Sequence, residues 1–225
     1  MILILFGPPG AGKGTQALNL VRDFNLYKIS TGDLLRDEVK KKTNLGEEIK
    51  LLIDQGKFVS DKIINNLVKQ IVSNRKINSR LIFDGYPRNL EQAKELEIYL
   101  QENNQKISCV FSLEVEEKLI IKRILGRQTC SKCGRIFNKY FSPSTKENHE
   151  CDSKFLIVRS DDNEKTITNR FNTYNKETLP ILSFYKNQKL LHQVNGMAKI
   201  DEIYKEIRNI IDPIHTWLYD LSLYN

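Results

Sequence analysis

No stretch of this 225-residue chain approaches the roughly 18 consecutive apolar residues that cross a bilayer, so a membrane-spanning helix is excluded. The opening apolar run, Met1 to Phe6, is too short for the core of a secretion signal, and no basic leader precedes it. Internal repeats and low-complexity linkers are absent, so neither a repeat array nor a flexible tether organises the chain. The formal net charge is +7, but clustered basic stripes are missing; Lys40-Lys41-Lys42 is the one short run. A nucleic-acid partner asks for such stripes, and a chain generally rich in Lys, Asn and Ile accounts for the excess without one. These absences lead to the expectation of a cytoplasmic protein with neither membrane nor nucleic acid as partner.

Cysteine is scarce, with four in all. Cys109 lies in the apolar run Ser108-Cys109-Val110-Phe111 and reads as a small core residue. The other three, Cys130, Cys133 and Cys151, cluster, and in a cytosolic chain such a cluster suggests metal before disulfide.

What is present begins at residue 7. A buried-strand pattern, Met1 to Phe6, runs into Gly7-Pro8-Pro9-Gly10-Ala11-Gly12-Lys13-Gly14-Thr15. Glycines let successive backbone N–H groups curl around phosphate oxygens, Lys13 adds a positive charge, and the following helix points its N-terminus at the same anion. The common P-loop pattern ends in lysine and then a hydroxyl residue. Here glycine occupies position 14 and Thr15 follows one place later.

Strand and helix patterns then alternate. Strands are expected at 27–30, 81–83, 110–113 and 192–195. Helices are expected from 16 to 24, near 32–42, 46–54 and 61–73 (with Asp61 as cap), at 90–100 and 116–125, from Asp161 towards 187, and at 201–211. Such alternation implies an α/β fold with a parallel sheet covered by helices. Between Gly126 and Ser160 helical periodicity stops, which reads as a small β-rich insertion of the kind that often covers a site. At 225 residues the chain holds one domain with insertions or two small ones.

Further motifs line up with the glycine loop. Ser30-Thr31-Gly32-Asp33-Leu34-Leu35-Arg36 follows the second strand, and Phe83-Asp84-Gly85-Tyr86-Pro87-Arg88, with Gln92 beyond, follows the third. Arg123-Ile124-Leu125-Gly126-Arg127 opens the insertion, Arg159-Ser160-Asp161-Asp162 closes it, and Arg170 lies further on. Together these resemble the adenylate kinase family in its long-lid form, over residues 1 to 211.

The resemblance implies a three-layer P-loop core formed by 1–29, 60–125 and 161–211, a helical AMP-binding flap at 30–59, a lid at 126–160 and a C-terminal extension at 212–225. It implies magnesium-dependent phosphoryl transfer from ATP to AMP, giving two ADP, in a monomer. Phosphoryl transfer needs two anionic nucleotides in line and their charge neutralised, a task suited to arginine forks.

By resemblance, ATP would contact Gly10, Ala11, Gly12, Lys13, Gly14 and Thr15, together with Arg123, Arg127, Ile136, Phe137 and a carbonyl near Ala198. AMP would contact Thr31, Arg36, Lys57, Phe58, Val59, Gly85, Tyr86, Pro87, Arg88 and Gln92, with Arg159 and Arg170. Lys13, Arg88, Arg123, Arg159 and Arg170 would stabilise the group in flight, and Asp84 would hold magnesium through water. Tyr86 replaces the family's more usual phenylalanine and Phe58 its leucine; both keep an apolar body, so little change is expected. Taken singly each arginine has a plainer reading, with Arg123 and Arg127 four apart at a helix end and Arg159 and Arg170 paired to Asp161 or Asp162. Asp161 and Asp162 are read as capping the long helix and orienting lid arginines.

Cys130-Ser131-Lys132-Cys133, with Cys151 after 17 residues, has the spacing of three corners of a zinc ribbon. Lids of the resembled family complete such a site three residues after the third ligand, where this chain has Lys154, whose ammonium has no lone pair to give. His149 or Asp152 is then the candidate fourth ligand, and two readings stand: a structural zinc, or a metal-free remnant. Two other functions remain as alternatives, a nucleoside monophosphate kinase acting on UMP or CMP, and a zinc-ribbon nucleic-acid-binding protein.

Overall fold

The computed structural model describes residues 1–55, 57, 59–73 and 80–222, with side chains described as far as 214. Five parallel strands form the central sheet, in the order β2-β3-β1-β4-β8. They are β1 (Ile2–Phe6), β2 (Tyr27–Ser30), β3 (Leu81–Asp84), β4 (Cys109–Glu114) and β8 (Leu191–Asn195). β1 lies in the middle, pairing Ile2 with Leu81 on one side and Leu3 with Cys109 on the other.

Every residue of β1 is buried, as a continuous apolar run with helices on both faces requires. The period-2 alternation of a strand then divides the core. Ile2, Ile4 and Phe6 pack with Phe83 and Val110 against α4 (Asp61–Val72), α5 (Leu90–Glu102) and α8 (Leu179–Asn187). Leu3 and Leu5 pack with Ile82 and Phe111 against α1 (Lys13–Phe24) and α9 (Ile200–Ser222). A smaller cluster, Ile120, Ile124 and Ile167, joins α6 (Glu117–Leu125) to α7 (Glu164–Thr173).

Helix starts follow short polar side chains. Ser30 accepts from the Asp33 N–H at the head of α2 (Thr31–Lys40), and Thr43 from the Gly46 N–H at the head of α3 (Asn44–Asp54). The expected β-rich insertion is a three-stranded antiparallel sheet in the order β6-β5-β7: β5 (Arg127–Cys130), β6 (Ile136–Asn138) and β7 (Leu156–Ile157).

Several local expectations need correction. Asp61 does not cap α4; Ser60 occupies the cap position, and the Asp61 carboxylate is bonded to side chains of the next helix. Asp161 and Asp162 do not cap α7 either, because Asn163 does, its side chain accepting from Thr166 N–H. The two carboxylates are drawn instead to arginines. The long helix expected towards 187 is interrupted at Tyr174–Thr178 by a π-helical turn, after which α8 restarts with proline in its first turn, where the missing N–H is not needed. Arg127 does not share a helix end with Arg123, since it begins β5. The final helix does not end at 211 but runs on through Pro213 to Ser222. Residues 223–225 of the extension lie outside the described residues.

Candidate active site

Open parallel α/β sheets bind ligands beyond the carboxyl ends of their strands. Here the loops after β1, β2, β3 and β8, the end of α6, the small antiparallel sheet and α7 enclose one cleft at that edge. The glycine loop forms its floor. Gly10 and Gly12 have φ of 79° and 100°, a region side chains strain to enter, and a Cβ on Gly10 would stand 2.7 Å from Ile124.

Gly12 precedes α1, whose first N–H groups face the cleft with the partial positive charge of a helix start. Lys13 folds back over its own loop, with Nζ donating to the carbonyls of Gly7 at 2.6 Å and Pro8 at 3.0 Å. Burial pushes its ammonium down to about 8, against the opposing pull of Asp84. Asp84 ends β3, and its Oδ2 lies 3.4 Å from where a Cβ on Gly14 would be. A carboxylate and the Thr15 hydroxyl therefore stand beside the cradle, hard oxygen donors that fit a magnesium ion bound mainly through water. On the far side of Gly14, Ile136 Cδ1 would come within 2.9 Å of the same Cβ, so β6 closes over the start of α1.

All six arginines singled out in the sequence line this one cleft. Arg36 donates to Asp33 Oδ1 at 2.6 Å, and Lys28 donates to Asp33 Oδ2 at 2.9 Å. Burial works against the Asp33 charge, yet these two cations hold its carboxyl far below the usual range. Arg88 Nε donates to the Gly85 carbonyl at 2.8 Å. Arg123 Nη1 donates to the Gly196 carbonyl at 2.8 Å. Arg127 makes a two-pronged contact to the buried Asp162, and Arg170 donates to Asp161 Oδ2 at 2.8 Å. For Arg159 no hydrogen bond is formed among the described residues.

Burial, and after it the neighbouring cations, lower Arg88 and Arg159 to about 10; burial lowers Arg170 too, against the opposing pull of Asp161. At about 10, Arg88 and Arg159 remain charged at neutral pH. A crowd of cations (Lys13, Lys28, Lys57 and the six arginines) with four nearby carboxylates, Asp33, Asp84, Asp161 and Asp162, is electrostatically incomplete, and a polyanion completes it.

The positions assigned to AMP divide into two layers. Arg36, Lys57, Val59, Gly85, Pro87 and Arg88 line the cleft. Thr31, Tyr86 and Gln92 do not; each is at most 2% exposed and stands behind the wall. Thr31 Oγ1 donates to the Gly85 carbonyl at 2.8 Å, and Gln92 Oε1 accepts the Arg88 N–H at 2.7 Å. The Tyr86 hydroxyl is not idle, as an apolar replacement would imply, but donates to Asn65 Oδ1 at 2.8 Å. Phe58 lies outside the described residues. On the ATP side, residues 10–15, Arg123, Arg127, Ile136, Phe137 and Ala198 all line the cleft.

Sequence reasoning missed further wall residues. Thr178, on the π-helical turn, donates to the Arg88 carbonyl at 2.7 Å, and Tyr174 from the same turn faces the cleft as a phenol pushed up to about 12 by burial. Asn138 also lines the cleft and donates to the Arg123 carbonyl at 2.7 Å. The π-helical turn was the one local cue, since such turns recur at functional sites, but it cannot be read from composition.

In the antiparallel sheet, Cys130, Cys133, His149 and Cys151 bring one ligand atom each to within 4.8 Å of one another. His149 Nδ1 is engaged by Ser144 Oγ at 2.9 Å, and Nε2 is 3.5 Å from Cys133 Sγ. The structure thus gathers His149, not Asp152, with the cysteines. Asp152 accepts from the Lys154 N–H at 2.8 Å and starts a short turn at Ser153–Phe155. Three thiols and an imidazole are borderline-soft donors in the number a structural zinc takes.

A family model described as Adenylate kinase matches residues 5–190. The adenylate kinase of Pelagibacter ubique is 48% identical over 211 residues, covering 94% of this chain and 99% of that protein. That of Enterococcus faecalis is 40% identical over 214 residues, again 94% and 99%. That of Archaeoglobus fulgidus is 38% identical over 216 residues, 95% and 99%. With a matching family model over most of its length and full-length relatives well above 30% identity, the chain belongs to the adenylate kinase family.

Proposed function

We propose that this chain catalyses reversible phosphoryl transfer from ATP to AMP, giving two ADP, with both nucleotides held in the single arginine-lined cleft. The observation that carries the reading is the convergence of a glycine-rich cradle and six arginines from five separate segments on that cleft. Its chemistry is positioning and charge neutralisation. Residues 10–15 hold the donor phosphates by backbone N–H groups, and Lys13 leaves the Gly7 and Pro8 carbonyls for a phosphate oxygen. Arg36 and Arg88 hold the acceptor phosphate from the β2 and β3 side; Arg123, Arg127, Arg159 and Arg170 surround the donor end. An acceptor phosphate oxygen is already ionised near neutral pH, so no side chain serves as general base. Magnesium, when bound with ATP near Asp84 and Thr15, supplies further charge neutralisation.

Segments 30–59 and 126–160 act as the flap and lid that exclude water, around a core formed by 1–29, 60–125 and 161–211. Support for closure comes from hydrogen bonds across the cleft mouth: Ser160 Oγ to Asp54 Oδ1 at 3.2 Å and Asn169 Nδ2 to the Gln55 carbonyl at 3.2 Å.

AMP as acceptor is tested by a coupled assay with ATP and AMP, CMP, UMP or GMP in turn. AMP is expected to give the fastest turnover; faster turnover with a pyrimidine would overturn the assignment, and none with any acceptor would favour a binding protein.

The lid binds a structural zinc through Cys130, Cys133, Cys151 and His149, which ties its strands together. Protein purified without added zinc is expected to carry one ion per chain. Cys130→Ser or chelation is expected to release it and lower Tm by on the order of 10 °C. Wild-type protein without zinc sinks this part of the reading.

A further inference from the structure

A primary amide has two orientations that exchange its oxygen and its NH2 group, and neighbours decide between them. Gln92 is buried at 2% exposure, and both ends of its amide are engaged. The Arg88 backbone N–H, which can only donate, points at Oε1 from 2.7 Å. The Asp61 carboxylate, which can only accept, takes Nε2 at 2.6 Å.

A second amide is arranged the same way. Asn89 Oδ1 accepts the Gln92 N–H at 2.9 Å, which leaves Nδ2 to donate to both Asp61 oxygens at 3.0 and 2.9 Å. Asp61 therefore gathers amide N–H groups from two side chains, and these charge-assisted bonds are stronger than neutral ones. Turning Gln92 over would set its NH2 against the Arg88 N–H and its oxygen against a carboxylate.

The locked amide has one N–H and one lone pair to spare, and no other partner engages them among the described residues. A donor beside an acceptor complements a base edge that offers a ring-nitrogen lone pair beside an exocyclic amino group. That is the edge of adenine, and in smaller form of cytosine. It repels an edge with oxo oxygen beside a ring N–H, as in hypoxanthine, guanine or uracil.

We infer that Asp61 is a specificity-determining positioning residue: it fixes the polarity of the Gln92 amide, so that the acceptor site takes amino-bearing bases and rejects their oxo counterparts. The inference rests on the placement of the acceptor base at Gln92 that the adenylate kinase resemblance implies, and it needs the base to reach an amide that stands behind the cleft wall at 2% exposure. It also explains why the side chain at position 61 serves the next helix and not the start of its own.

The test compares AMP with inosine monophosphate, the same purine with oxo in place of amino, as acceptors in steady state. Wild-type enzyme is expected to prefer AMP by about 10²-fold or more, since a site built to hydrogen-bond one edge strongly rejects the other. In Asp61→Asn the new amide brings an N–H against donors, and the preference is expected to fall by about tenfold or more. The KM for ATP should stay within about twofold of wild type, because the donor side is untouched. Asp61→Ala makes the same comparison if the asparagine variant does not fold.

Gln92→Leu separates the two layers of the argument. A preference lost in Gln92→Leu but kept in Asp61→Asn and Asp61→Ala overturns the lock while leaving base reading by Gln92. A preference kept in Gln92→Leu overturns the base placement itself. Comparable wild-type turnover of the two acceptors overturns the inference without any variant.

Discussion

An Arg88→Ala protein is expected to keep its fold and lose about 10³-fold or more of its kcat/KM with AMP, the scale on which arginines contribute to phosphoryl transfer. Arg88 reaches the cleft from the loop after β3, and its backbone is held at both polar groups, the N–H by Gln92 and the carbonyl by Thr178. Its guanidinium is thereby aimed with little freedom left to lose on binding. Burial, Arg170 and Arg36 together lower it to about 10, so in the empty protein its charge opposes folding. Removing that charge relieves repulsion, and Tm is expected to hold or rise while turnover collapses, the usual relation between a strained site and stability. Steady-state kinetics and a melting curve on the same preparation check both halves. Wild-type turnover, or an unfolded variant, would contradict the assignment.

Lys13→Met is expected to cost about 10²-fold or more, as loss of a preorganised charge at a developing anion does. It carries a pH signature as well. The working form is the ammonium, and its pKa in the empty protein is lowered to about 8. As pH rises through about 8 the free enzyme sheds this proton, so kcat/KM for ATP should fall. The kcat should fall later, because bound polyphosphate favours the charged form. Lys13→Met should show no such step. For stability the sign is reversed: a lysine whose folded pKa lies below the ordinary 10.5 opposes folding at neutral pH, and that opposition fades between about 8 and 10.5. The methionine variant should therefore be no less stable than wild type at pH 7. A kcat/KM profile that stays level to pH 10 in the wild type would contradict the lowered ammonium, and wild-type turnover in Lys13→Met would remove Lys13 from the donor site.

The parts of the site that were legible in the sequence are those whose chemistry is local. A glycine loop after an apolar strand, an Asp at the end of the next strand and arginines at set distances from both announce themselves by type and spacing. The fold class was readable for the same reason, since β1, β3 and β4 are short, mostly apolar runs between helical patterns. What was not readable depends on partners distant along the chain. Asp61 looks like a helix cap until Gln92, 31 residues later, is packed against it. The hydroxyl of Tyr86 has no visible purpose until Asn65 meets it, and Thr178 none until Arg88, 90 residues earlier, presents its carbonyl.

The choice between His149 and Asp152 was also a matter of packing. The Asn148 side chain bonds Thr145 N–H and the Pro143 carbonyl, and that turn delivers the imidazole to the cysteines. The Asp152 carboxylate goes to the next turn instead.

Phosphorus NMR of the wild-type protein with ATP, AMP and magnesium tests the central claim most directly. Two ADP should form for each AMP consumed, and ADP alone should disproportionate to the same final mixture. Conversion of ATP to ADP and inorganic phosphate with AMP untouched, or spectra that do not change at all, would contradict it.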